Sequence, residues 1–119
     1  MNHEEFIKRV VEEGIKAAQR DYCRPDQKDK RDGSIAGFKA CIGKSIDELK
    51  ELLESCAIAT EDARKRKADD YWWFRCYEAE VSWLCNCLSV VLMNEGLPVI
   101  VPPTARAAML VATIIGVKK

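Results

Sequence analysis

Residues 71–87 read YWWFRCYEAEVSWLCNC. Three Trp, two Tyr, one Phe, three Cys and two Glu stand in this stretch. Such density suits either a chemical site or the centre of a small core, and helical register separates the two. At about 100° per residue from Tyr71, the side chains of Trp73, Phe74, Tyr77, Val81, Leu84, Leu88, Val91 and Leu92 share one sector about 100° wide. Cys76, Trp83, Cys87 and Val90 widen that sector to about half the circumference. A helix this apolar is central and touches neighbours on two sides. The stretch is expected to be chiefly core, on one long helix over about 61–94. Gly96 ends it and Pro98 bars its continuation.

Two features of this helix go beyond a plain core. Glu80 falls inside the apolar sector, among Trp73, Cys76, Trp83 and Cys87. A carboxylate there is either paired with a basic residue of another helix or raised in pKa by desolvation. A functional carboxylate, in an enzyme or small-ligand site, is the alternative role. On the other side, Arg75, Ser82, Asn86, Ser89 and Met93 form a narrow stripe. Small polar residues at this spacing admit close approach, so the stripe is a candidate contact surface for a protein partner or a second copy.

Upstream, Asn2 with Glu5 makes a capping box, followed by Phe6, Ile7, Val10, Val11, Ile15, Ala18 and Tyr22 on one face of a first helix. CRPDQKDKRDG, residues 23–33, is breaker and charge throughout, and is expected to be a mobile loop. Ser34 then caps a short helix that Gly43 closes. Ser45 and Glu48 form a second capping box, with Ile46, Leu49, Leu52, Leu53 and Cys56 facing inward. Thr60 is expected to cap the long helix. Downstream, LPVIVPP is extended but finds no partner strand. Thr104 opens a last helix from Ala105 to Ile115; Thr104 and Arg106 there are an anion site or, more simply, a cap. These pieces make an all-α, single-domain bundle of about five helices over residues 1–119.

Composition narrows the chemistry. The chain has 119 residues, 48% of them hydrophobic and 32% charged, with 19 basic against 19 acidic side chains. A zero net charge gives no bulk attraction to nucleic acid or anionic membrane. MNHEEF lacks the apolar core of a secretory signal, and Pro98, Pro102, Pro103 and Arg106 break the apolar run 97–117 before it could span a bilayer. Six cysteines in helical patterns fit reduced thiols, so the expected compartment is the cytoplasm.

His3 is the single histidine, which removes His-based metal sites and the usual Ser–His or Cys–His pairs. Cys85 and Cys87 diverge by about 200° on a helix and cannot clamp one ion. Aligned on Gly33, a calcium loop would place Lys28, Lys30 and Lys39 at ligand positions, and that match fails. No glycine-rich phosphate motif occurs. The expectation is no metal, no cofactor and no catalytic residue. Arg64, Lys65, Arg66 and Lys67 form a basic run beside the aromatics, the pattern of a nucleic-acid footprint. Successive helical residues point all round the helix, however, and Glu61, Asp62, Asp69 and Asp70 flank the run.

GFKACIGKSIDELKELL and VLMNEGLPVIVPPTARAAM resemble segments of small uncharacterised helical proteins of phage and prophage genomes. The resemblance covers about two thirds of the chain and carries no activity. It implies a bacterial or host cytoplasm and a protein that acts by binding. The leading expectation is therefore a small interaction protein that regulates or inhibits a protein partner, including host defence machinery. The alternatives are a nucleic-acid accessory protein and a ligand site at Glu80.

Overall fold

The computed structural model describes residues 2–115. Five α-helices follow one another: α1 His3–Asp21, α2 Lys28–Ala40, α3 Ile46–Lys65, α4 Tyr71–Asn94 and α5 Ala105–Ile115. A single 3-10 turn, Pro25–Gln27, precedes α2, and no strand occurs among the described residues. The fold is all-α, and α4 touches each of the other four helices.

The helix starts follow the capping chemistry. Asn2 Oδ1 accepts from the Glu5 amide at 2.8 Å. At Ser45 both arms of the capping box form: its hydroxyl accepts from Glu48 N at 3.1 Å, and Glu48 Oε1 accepts from Ser45 N at 2.9 Å. Thr104 Oγ1 accepts from Ala107 N at 3.2 Å, which makes Thr104 a cap. Gly43 and Gly96 take positive φ, 76° and 73°, where the α2 and α4 ends turn away.

Two boundaries differ from the sequence reading. Residues 28–33 are the first turns of α2 rather than a mobile loop, so only 23–27 precede the helix. The charges that suggested a loop lie along the outside of α2. Lys28 Nζ bonds Asp32 at 2.7 Å, and Arg31 donates to the Tyr22 carbonyl at 3.2 Å. The glycines that suggested punctuation face α4. A Cβ on Gly33 would overlap the Trp73 carbonyl oxygen, and one on Gly37 would stand 2.6 Å from that of Tyr77. Gly33-x-x-x-Gly37, with buried Ser34 and Cys41 beside them, lets α2 and α4 pack backbone to backbone. Ser34 is thus a packing residue inside α2, not its cap.

The long helix over 61–94 is also two helices. Thr60 lies inside α3, and its hydroxyl bridges the carbonyls of Cys56, at 2.9 Å, and Phe74, at 3.1 Å. The break falls at Lys67, whose φ is 53°. Ala68 N bonds Ala63 O at 3.0 Å and Lys67 N bonds Arg64 O at 3.2 Å, which together form a Schellman motif. That motif prefers glycine at the left-handed position; here it has Lys, so the sequence carries no stop signal.

The core is one cluster. Phe6, Val10, Phe38, Cys41, Leu49, Val81, Leu84, Cys85, Leu88 and Leu92 are all 2% exposed or less. Within α4 it runs from Val81 onward and is densest toward the C-terminal end, where every residue from Cys87 to Leu92 is buried.

Candidate interaction surface

The N-terminal half of α4 is different. Tyr71, Trp73, Phe74 and Tyr77 are half-buried, and Trp72 is 52% exposed. The aromatic residues expected in the core therefore lie at its edge, whereas Cys76, Cys85 and Cys87 are buried. The cause is the size of their neighbours. Against these rings α3 sets Ser55, Cys56 and Ala59, with Leu52 at one end. Short side chains leave an apolar groove of about 280 Å³ floored by Trp73, Phe74 and Tyr77.

The floor is ordered by its own ring contacts. Trp73 stacks on Tyr77, with centroids 5.2 Å apart and planes at 27°. Phe74 meets Trp73 edge-on at 5.2 Å and 80°. Beside them, Trp72 packs edge-on against Tyr71 and carries the Lys30 ammonium 4.7 Å above its ring. On the outer edge of α3, Ile58 is 71% exposed and extends the apolar surface. Burial pushes the Cys56 thiol in the groove wall up to about 11, and its Sγ donates to Leu53 O at 3.3 Å. It is a protonated wall residue, not a nucleophile.

The polar stripe does not form an open seam. Ser89 is fully buried, and its Oγ accepts from Ile100 N at 3.0 Å and Val101 N at 3.2 Å. Asn86 Oδ1 accepts from Thr104 N at 3.2 Å. Here the stripe is covered by the chain's own 97–104 segment, whose amides have no strand to pair with and are met by Asn86 and Ser89 instead. Ser82 and Arg75 instead line a separate polar groove with Glu61, Arg64 and Glu78, and Met93 lies apart, 54% exposed.

The basic run is partly neutralised. Arg64 holds Glu61 through two hydrogen bonds, and Arg66 Nε bonds Asp62 at 2.8 Å. Lys65 and Lys67 are exposed. Glu80 lines a third groove, between α1, α4 and α5, with Tyr22, Trp83 and Arg106. Burial raises its carboxyl pKa; the Ser34 hydroxyl and the Arg106 guanidinium pull the other way. Arg106 itself is exposed and lies over the Trp83 ring at 5.4 Å. Among the described residues no three His, Cys, Asp or Glu side chains come together to hold a metal, and no helix is long and apolar enough to cross a membrane. Burial also pushes the thiols of Cys41, Cys85 and Cys87 up to about 12.

Register along α4 had placed Trp73, Phe74 and Tyr77 on the apolar sector but not in a groove. Ile58, Trp72 and Lys30 were missed as surface features. Trp72 stands at about 100° from Tyr71, outside the apolar sector, which was the available signal. Compared with known protein families, curated proteins and solved structures, the chain matches none.

Proposed function

We propose that this chain is a small interaction protein that regulates or inhibits a protein partner, and that the α3–α4 aromatic groove is its docking surface. The observation that carries this reading is the cluster of half-buried rings, Trp73, Phe74 and Tyr77, that floors an apolar groove. Trp and Tyr are the side chains that dominate interface energetics, because they bury large area with few rotatable bonds. Two further grooves support the reading less. One has a charged lining, and the other contains Glu80, whose carboxyl pKa is raised chiefly by burial.

A nucleic-acid partner at Arg64–Lys67 has less support, since Arg64 and Arg66 are held by acids of their own helix. The buried, unpaired thiols favour a reducing cytoplasm, and the likeness to phage and prophage segments favours host or phage machinery as the source of the partner. A photo-crosslinking side chain at Ile58 or Ser55, in cells, tests the docking surface. A discrete adduct from both positions, absent when the same group stands at Lys8 on α1, is the expected result. Equal labelling from Lys8, or none from the groove, removes the proposal.

A further inference from the structure

Resting on the groove reading above, we infer the chemistry of the occupant: one amphipathic α-helix of a partner protein, with Lys or Arg along the edge that lies over α3. The groove sits between two helices, and the described fold offers no sheet edge, so strand addition is closed to it; of the modes left, a helix laid in the groove fits the length of the wall and the charge of its rim better than an extended proline-rich segment stacked on the rings. The wall from Leu52 to Ala59 spans about two helical turns, the reach of an i, i+4, i+7 anchor set.

The charge of the occupant follows from the rim. Passing outward round α3 from the wall, the register meets Glu51 and Ile58, then Asp47 and Glu54. All four are exposed. Asp47, Glu51 and Glu54 have no basic group within 4 Å among the described residues, whereas Glu61 and Asp62 further along are neutralised by Arg64 and Arg66. An acidic, unpaired edge beside an apolar groove attracts a helix whose apolar stripe is bordered by cations, and repels phosphates and anionic headgroups. A second copy answers this edge poorly. Away from the groove, the described helix surface with the most exposed large apolar side chain is on α5, at Met109, and the one charged side chain within Ala105–Ile115, Arg106, lies over Trp83.

The test uses fluorescence anisotropy on the full chain with three labelled peptides of about 18 residues. One is an amphipathic Leu/Lys helix, one its Leu/Glu counterpart, and one a shuffled Leu/Lys sequence with no apolar face. The Leu/Lys helix is expected to bind at least about tenfold more tightly than either of the others, and to weaken with salt. Ser55→Trp, which fills the groove from an exposed position, is expected to cost about tenfold with melting unchanged. Glu51→Lys with Glu54→Lys is expected to reverse the preference toward the Leu/Glu helix. Equal binding of Leu/Lys and Leu/Glu, both lost in Ser55→Trp, would overturn the basic-edge inference while leaving the groove in place. No binding, or binding indifferent to Ser55→Trp, overturns both. A concentration-dependent dimer that Ser55→Trp dissolves makes a second copy the occupant and overturns the inference.

Discussion

Ser89 has one hydroxyl and two backbone donors to satisfy. The segment 97–104 is extended, interrupted by Pro98, Pro102 and Pro103, and has no neighbouring strand; Ser89 and Asn86 supply the acceptors it needs. Ser89→Ala leaves the Ile100 and Val101 amides without that acceptor. It is expected to cost about 1–3 kcal/mol in urea denaturation, with faster hydrogen exchange at those amides and no change in oligomeric state. Lys67 offers the opposite case. A non-glycine residue in left-handed conformation is strained, so Lys67→Gly is expected to stabilise the fold by about 0.5–1 kcal/mol. Glu80 gives a pH signature. Its folded pKa is raised, mainly by burial, above the ordinary 4.5. Its contribution is therefore most favourable below 4.5 and is lost as pH rises through the folded value. Glu80→Gln is accordingly expected to melt close to the parent protein at pH about 4 and to gain relative to it toward pH 7. A difference that stays flat with pH contradicts the desolvated carboxylate.

At the scale of elements, α2 and α4 are joined by absence of side chains. Gly33→Ala and Gly37→Ala each add one methyl against a carbonyl of α4. Alanine favours a free helix by about 1 kcal/mol, yet the overlap is expected to outweigh this and leave a net loss of about 1–3 kcal/mol by chemical denaturation. Stabilisation by either substitution would show that the two helices have room to separate. This contact also explains how the first turns of α2 escaped the sequence reading: glycine scores as a breaker in any local account, and its use as a packing surface depends on a partner about 40 residues away. The α3–α4 break was hidden for the reverse reason, because a Lys occupies the place of a stop glycine. The starts of α1, α3 and α5 were legible, since Asn2, Ser45 and Thr104 cap through atoms three residues away, whereas α2 and α4 start without a side-chain cap and were misplaced.

The whole molecule measures 46 × 28 × 25 Å and is packed unevenly along its length. The all-α class was legible from helical period, and so was the central role of the helix containing Val81–Leu92. Which rings reach solvent was not, because a helical wheel marks the apolar side of one helix and says nothing about how tall the opposing side chains are. At Ser55, Cys56 and Ala59 they are short. Hydrogen exchange is expected to be slowest across Cys87–Leu92, where burial is continuous, and faster across Tyr71–Tyr77. Uniform protection along α4 would contradict a core confined to its second half.

Two positions in the wall of the groove bear little of the fold's weight. Ser55 is exposed and Ala59 only half-buried, while the residues that lock α3 to the body are Leu49, Cys56, Thr60 and Ala63. Exchanging Ser55 or Ala59 for larger or smaller side chains reshapes the opening at little expense in stability. Lineages of this chain are therefore free to follow a changing target by drift at two sites, with the scaffold held constant by two glycines and a serine on other helices.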